Sequence, residues 1–256
     1  KLLAGPPEQA LGPLSTDSRA SAAGSAFIAL RGPRFDGHDH LDPRAAGWVV
    51  RLGAPLPAAR PAHILAVEDT QAGLAALAKA WRLRFDIPVV GVTGSNGKTT
   101  VKEMLKAVLS ERGPVCATAG NFNNDIGLPL SVLGLGAEHR FAVFEMGAAR
   151  RGDIARLCRI AHPTAAVLTN IAPAHLEFFG DLETVLRTKA ELIEALPPGA
   201  PAALCGDDPM LRGLVAGLGG RAHTFGTGAA NAVRALAGPN PRLGIEGTEL
   251  ELPPLF

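Results

Sequence analysis

The sequence predicts an α/β protein, with a small N-terminal α/β unit followed by a larger domain built on a mainly parallel sheet. Three observations lead there. An apolar run, Val89 to Val92, enters Thr93-Gly94-Ser95-Asn96-Gly97-Lys98-Thr99-Thr100, after which Val101 to Leu109 repeats apolar residues at helical spacing. That order is a strand, a glycine-rich loop and a helix. Downstream of it, short apolar runs alternate with amphipathic stretches, the rhythm of parallel strands joined by helical crossovers. With 256 residues, 47% hydrophobic and 19% charged, the chain has enough apolar side chains for two domains with a substantial core.

Residues 1–84 read as the smaller unit. Leu14-Ser15-Thr16-Asp17-Ser18-Arg19 is a polar turn with one cation, and Ala26 to Leu30 is a short buried strand entering Arg31-Gly32. Phe35-Asp36-Gly37-His38-Asp39 is a second polar turn, and Trp48-Val49-Val50 and Ile64 to Val67 are further strands. From Thr70 to Arg84 alanine and leucine recur at helical spacing, with Thr70 as the expected N-cap. The two polar turns could grip a charged ligand or be ordinary Asx-type turns on a surface.

Arg84 to Pro88 reads as a hinge crossed by few contacts, since the helical pattern stops there and the loop-bearing strand begins. In residues 85–256 strands are expected at Pro114 to Thr118, Phe141 to Glu145, Ala165 to Thr169 and Ala202 to Leu204. Helices are expected after Gly127, over Ile154 to Ile160 and over Leu182 to Leu196. A short helix after Asp208 precedes Arg221 to Gly226 as a last strand, and Glu249-Leu250-Glu251-Leu252 reads as antiparallel hairpin material. Ligands of such a sheet collect at the carboxyl ends of its strands. Glu145 and Asn170 both fall at strand ends and are expected near the glycine-rich loop.

A formal net charge of +1 with no dense Lys/Arg run gives no electrostatic case for nucleic acid or a membrane surface. Three widely spaced cysteines, Cys116, Cys158 and Cys205, suit neither a disulfide framework nor a metal cluster, so a reducing, cytoplasmic setting is expected. No apolar run approaches the roughly 18 residues of a spanning helix, so no membrane insertion is expected. Nor does the N-terminus show the basic-then-apolar layout of a signal peptide. A monomer is the expected state.

The loop carries the chemistry. Gly94 and Gly97 allow a tight turn with N–H groups facing inward, Lys98 can reach outer phosphates, and the Thr99 hydroxyl can ligate Mg²⁺. Gly94, Ser95, Asn96, Gly97, Lys98, Thr99 and Thr100 are therefore the candidate ATP-binding residues, although Val92 stands where the strict phosphate-loop pattern has its first glycine. Glu145, ending an otherwise apolar strand, is a candidate metal ligand, with a helix-capping role before Gly147 as its alternative. The cluster Asn121-Phe122-Asn123-Asn124-Asp125 offers uncharged donors and acceptors for a polar ligand such as an amide or sugar. On residue type alone His175 reads as structural, and Lys189 reads as part of a solvated i,i+4 charge pattern.

Taken together these residues resemble the Mur ligase family over nearly the whole chain. The resemblance is carried by Thr16-Asp17-Ser18-Arg19, Phe35-Asp36-Gly37-His38, the loop from Thr93 to Thr100, Asn121 to Gly127, Glu145-Met146-Gly147-Ala148, Thr169-Asn170-Ile171, Ala174-His175-Leu176-Glu177 and Lys189-Ala190-Glu191. Within the family the asparagine cluster matches the members that join D-alanyl-D-alanine to UDP-N-acetylmuramoyl-tripeptide in peptidoglycan precursor synthesis. Members that add the third peptide residue usually have a Thr-Thr-Pro type sequence there. The resemblance implies that ATP phosphorylates the tripeptide carboxylate and that an amine then attacks the acyl phosphate to form an amide. It implies catalytic roles for Lys98, Glu145, His175 and Lys189, and two Mg²⁺ held by Thr99, Glu145, His175 and a carbamylated Lys189. Ser18, Arg19, Asn121, Asn123 and Asn124 become candidate substrate residues. Residues 1–84 would bind the UDP portion and residues 85–256 the ATP.

Two departures accompany it. Leu204-Cys205-Gly206-Asp207-Asp208 stands where relatives often read Leu-Asn-Ala-Asp-Asp, and the family's third, Rossmann-like domain, opened by a Gly-x-His-Asn type stretch, is not within the 256 residues. The expectation is a chain that binds ligands and turns over poorly alone. The competing readings are a ligase for the third peptide residue and a non-catalytic nucleotide-binding module.

Overall fold

A computed structural model of the chain describes residues 1–6, 12–20, 24–173, 179–236, 242–245 and 248–251. In the first unit the elements run β1 (Leu2–Ala4), β2 (Leu14–Ser15), β3 (Ala26–Ile28), β4 (Arg31–Gly32), β5 (Phe35–Asp36), β6 (Gly47–Arg51), β7 (His63–Val67) and α1 (Thr70–Arg82). Five of these strands form one sheet in the order β1-β7-β6-β3-β2, parallel except for β1, and β4 and β5 make a separate antiparallel pair. Side chains alternate across this sheet as the strand period of two requires. Phe27, Trp48 and Ile64 pack on one face, while Ile28 and Val49 pack on the other against Leu74 of α1. Leu14 and Ser15, read above as part of a turn, pair in parallel with β3.

The second unit contains β8 (Val89–Thr93), α2 (Lys98–Ser110), β9 (Val115–Ala117), α3 (Gly127–Leu133), β10 (Phe141–Glu145), α4 (Asp153–Ala161) and β11 (Ala165–Leu168). It continues with α5 (Leu182–Glu194), β12 (Ala202–Cys205), α6 (Pro209–Leu218), β13 (Ala222–Gly226), β14 (Val233–Leu236), β15 (Arg242–Ile245) and β16 (Thr248–Glu251). The sheet order is β16-β15-β14-β13-β12-β11-β8-β10-β9, parallel from β14 to β9, with β15 and β16 antiparallel. The expected terminal hairpin is present, but β13 is not the last parallel strand because β14 pairs with it. Helices cover both faces. Val101, Leu105 and Leu109 of α2 pack over Val92, Val143 and Val167. Phe144 and Leu168 pack on the opposite face with Leu157 of α4 and Leu192 of α5. All three cysteines are free.

β8 lies between β10 and β11, so the chain leaves it toward one edge and later crosses to the other. Such a reversal opens a crevice at the strands' carboxyl ends. The glycine-rich loop, Glu145 and Asn170 all lie there.

Two expectations about α1 are corrected. Its cap is Asp69, whose side chain accepts from the Ala72 N–H, and its last helical residue is Arg82. The hinge that follows is not sparsely contacted. Leu74 packs with the first sheet and with Leu130 and Leu133 of α3, whereas Ala78 lies in the core of the second unit. The Trp81 indole N–H donates to the Leu135 carbonyl at 2.9 Å. Arg82 is buried, and its guanidinium donates to carbonyls of Ala161 (2.9 Å), Phe85 (2.6 Å), Ile87 (3.3 Å) and His162 (3.4 Å). One helix thus has apolar residues on two faces and a cation at its end that ties the following segment to α4.

Candidate functional site

The loop after β8 needs glycine at two positions for different reasons. Gly94 has φ +152°, and a Cβ there would lie 1.9 Å from the Thr169 hydroxyl oxygen, so the backbone passes directly against the residue that follows β11. Gly97 has φ +77° and caps α2 in the left-handed region, with no side-chain cap bond on the first-turn N–H groups. A helix start with unclaimed N–H groups and no acidic residue in its first turn favours an anion.

Neighbouring side chains hold the loop in shape. The Asn96 N–H donates to the Asn170 side-chain oxygen at 2.8 Å, and the Thr169 hydroxyl donates to the Asn96 carbonyl at 2.6 Å. The Ser95 hydroxyl donates to the Ala172 carbonyl and accepts from the Ala172 N–H, both at 2.9 Å. Ser95 and Asn96 therefore shape the loop through its bonds to the segment after β11. The Lys98 ammonium donates to the Gly94 and Ser95 carbonyls at 3.0 Å each, bonds that a phosphate oxygen would replace. Thr99 and Thr100 are exposed on the first turn of α2.

Glu145 is buried, and its two carboxylate oxygens are separately engaged. Oε2 accepts from the Thr99 hydroxyl at 2.8 Å and Oε1 from the Asn123 amide at 2.8 Å. It does not cap a helix before Gly147; that N–H donates to the Asn123 carbonyl. The carboxylate and the Thr99 hydroxyl form a pair of hard oxygen donors, the type that Mg²⁺ takes alongside phosphate and water. Among the described residues no three His, Cys, Asp or Glu side chains converge as a metal cage, and a magnesium–phosphate site does not require one.

Lys189 is the larger departure from the residue-level reading. It is 4% exposed on α5, and the solvated i,i+4 pair is Arg187 with Glu183 instead. Burial, reinforced by the nearby Lys98 charge, lowers its pKa to about 8. Lys98 is itself shifted down by burial, with Glu145 acting in the opposite direction. Two desolvated ammonium groups facing one space call for an anion between them. That space is a cavity of about 280 Å³ lined by Gly94, Ser95, Lys98, Asn123, Gly147 and Lys189, among others.

The other candidates are distributed differently. Asn124 lines the same cavity, but its side-chain oxygen accepts from the Ile126 and Gly127 N–H groups at the start of α3. Asn121 is exposed, and its carbonyl accepts from the Asn123 N–H. His175 lies outside the described residues. Ser18 and Arg19 line a separate cavity of about 490 Å³ in the first unit, with Phe27, Phe35 and His40. There the Arg19 guanidinium is held by Asp17 through Nε and Nη2 at 2.9 and 2.7 Å. The residue-level reading missed Thr118, whose hydroxyl accepts the Glu145 backbone N–H, and Lys102, whose ammonium donates to the Thr118 carbonyl. Lys102 shares the sheet-facing side of α2 with Leu105 and Leu109, and that spacing was the available signal.

A family model described as the Mur ligase middle domain matches residues 92–242, more than half of the chain. The chain belongs to the Mur ligase family. Among curated Mur ligases it is 37% identical over 244 residues to the UDP-N-acetylmuramoyl-tripeptide--D-alanyl-D-alanine ligase of Synechocystis sp., covering 94% of this chain and 53% of that one. Among solved structures, MurF from Acinetobacter baumannii superposes with a TM-score of 0.85 at 32% identity, over 97% of this chain and 56% of that one. The MurF ligase from Thermotoga maritima in complex with ADP matches with a TM-score of 0.83 at 35% identity, over 94% of this chain and 57% of that one. The chain spans about half the length of the curated Mur ligases it matches.

Proposed function

We propose that this chain is the substrate- and nucleotide-binding part of an ATP-dependent amide ligase that joins D-alanyl-D-alanine to UDP-N-acetylmuramoyl-tripeptide through an acyl phosphate. One observation carries the reading. The phosphate loop, Asn123 and the buried Lys189 line a single cavity at the sheet's switch point, and Asn123 hydrogen-bonds the Thr99–Glu145 oxygen pair beside it. A module that only held nucleotide would have no use for a second desolvated ammonium opposite Lys98.

In this reading residues 1–84 bind the UDP portion, with Ser18 and Arg19 at the first-unit cavity, and residues 85–256 bind ATP. The N–H groups at the start of α2 and the Lys98 ammonium hold the outer phosphates and stabilise charge as the phosphoryl group moves to the tripeptide carboxylate. Thr99 and Glu145 would hold one Mg²⁺, which supplies charge neutralisation between the phosphates. Lys189 and His175 would hold a second. A neutral Lys189 amine can attack the carbon of CO₂ and lose a proton, giving a carbamate that replaces a cation with an anionic oxygen ligand. With a pKa of about 8, roughly a quarter of the amine is neutral at pH 7.5, compared with about one part in a thousand at its ordinary value. Asn123, fixed by Glu145, presents its remaining polar atoms to the acceptor.

The test is to incubate the chain with MgATP and UDP-N-acetylmuramoyl-tripeptide in hydroxylamine and look for the tripeptide hydroxamate by mass spectrometry. The proposal predicts hydroxamate that depends on ATP and disappears in K98A. Hydroxamate formed from the dipeptide nucleotide in preference to the tripeptide would contradict it and favour the ligase for the third residue.

A further inference from the structure

Lys102 plays no part in the chemistry just described, yet it is fully buried, at 0% exposure, at the base of the site. Burying an ammonium is costly unless fixed partners receive it. Among the described residues it meets two groups, the Thr118 carbonyl at 2.8 Å and the carboxylate of Glu103, whose side chain is 56% exposed. The exposed partner is a poor reason to bury the charge. Thr118 is different. It is 2% exposed, and its hydroxyl accepts the Glu145 backbone N–H at 3.0 Å. Glu145 in turn accepts from Thr99, which lies one helical turn before Lys102 on α2.

The contacts close a ring running from Lys102 to Thr118, Glu145, Thr99 and back along α2. We propose that Lys102 is a positioning residue for the metal-binding carboxylate, acting through Thr118, and that it sets the distance between Glu145 and the start of α2. The proposal rests on the reading of Glu145 and Thr99 as Mg²⁺ ligands. Removing the ammonium orphans the Thr118 carbonyl in a dry environment and frees the turn after β9 to shift. Among the described residues the side chains of Lys102 and Thr118 make no hydrogen bond to the loop residues from Gly94 to Lys98, so nucleotide affinity without metal is preserved.

The experiment titrates a fluorescent ATP analogue into the 256-residue chain, without Mg²⁺ and then across a Mg²⁺ series, with thermal unfolding measured in parallel. The proteins are the unsubstituted chain, K102M, T118V and T118S. K102M and T118V are expected to need about 10- to 100-fold more Mg²⁺ for half-maximal enhancement of binding, with metal-free affinity unchanged. T118S, which keeps the hydroxyl, is expected to retain the original requirement. A folded K102M with the original Mg²⁺ requirement overturns the proposal. Should K102M not fold, T118V with the original requirement overturns it equally. If Mg²⁺ fails to enhance binding in the unsubstituted chain, the metal-site reading falls first and the proposal falls with it.

Discussion

Burial of the Lys189 ammonium beside Lys98 lowers its pKa from 10.5 to about 8, and this fixes a pH dependence for the free chain. Between those values the unfolded chain binds more protons than the folded one, so stability rises with pH through that window. Below about pH 8 the penalty is constant, and at most about 3 kcal/mol. In CO₂-free buffer at pH 7, K189M is therefore expected to unfold at a higher temperature than the unsubstituted chain. Its advantage should shrink as the pH is raised from 8 toward 10.5. A lower unfolding temperature for K189M at pH 7 would contradict this account of the residue. The position of Glu145 at a strand end beside the loop was legible in the sequence, because a carboxylate closing an apolar strand stands out there. Lys189 was legible only through the family resemblance, since Glu183 and Arg187 supply a surface charge pattern on the same helix that hides its buried face from a residue-by-residue reading.

At the scale of elements, the glycine-rich loop is held as one piece by Thr169, Asn170 and Ala172 in the segment that follows β11. Gly94 sits at the tightest point, where an added Cβ meets the Thr169 hydroxyl, while Cβ at Gly97 would meet nothing within 4 Å. G94A is therefore expected to cost about 2 kcal/mol or more, from strain and displacement of Thr169 together. G97A should cost about 1 kcal/mol, from the left-handed backbone alone. Urea denaturation distinguishes them, and equal losses would show that the Thr169 contact does not define the loop. The loop, its strand and its helix could be read in advance because two periodicities change over within a few residues. The cap of α1 could not, because Asp69 and Thr70 are adjacent and equally suited to capping. Short strands such as β1 and β14 owe their existence to neighbours in the sheet, and three or four residues carry too little pattern to announce them.

For the whole molecule, α1 is the joint. Leu74 belongs to the packing of the first sheet, Ala78 to the core of the second unit, and Arg82 binds the connecting segment to α4. The cavity of Ser18 and Arg19 and the cavity of Lys98 and Lys189 are thus carried on units held together by buried contacts. The sequence showed that α1 was amphipathic but not that it would serve two partners, since periodicity identifies an apolar face without naming what covers it. On the proposed function, the Ser18–Arg19 cavity and the Lys98–Lys189 cavity would receive two parts of one nucleotide-linked peptide. A calorimetric titration of the chain with UDP-N-acetylmuramoyl-tripeptide, with UDP and MgATP as separate controls, tests that most directly. The account predicts that the tripeptide nucleotide binds more tightly than UDP alone and that MgATP also binds. Binding of MgATP with the tripeptide nucleotide no tighter than UDP would contradict it, leaving a nucleotide-binding unit without its assigned acceptor.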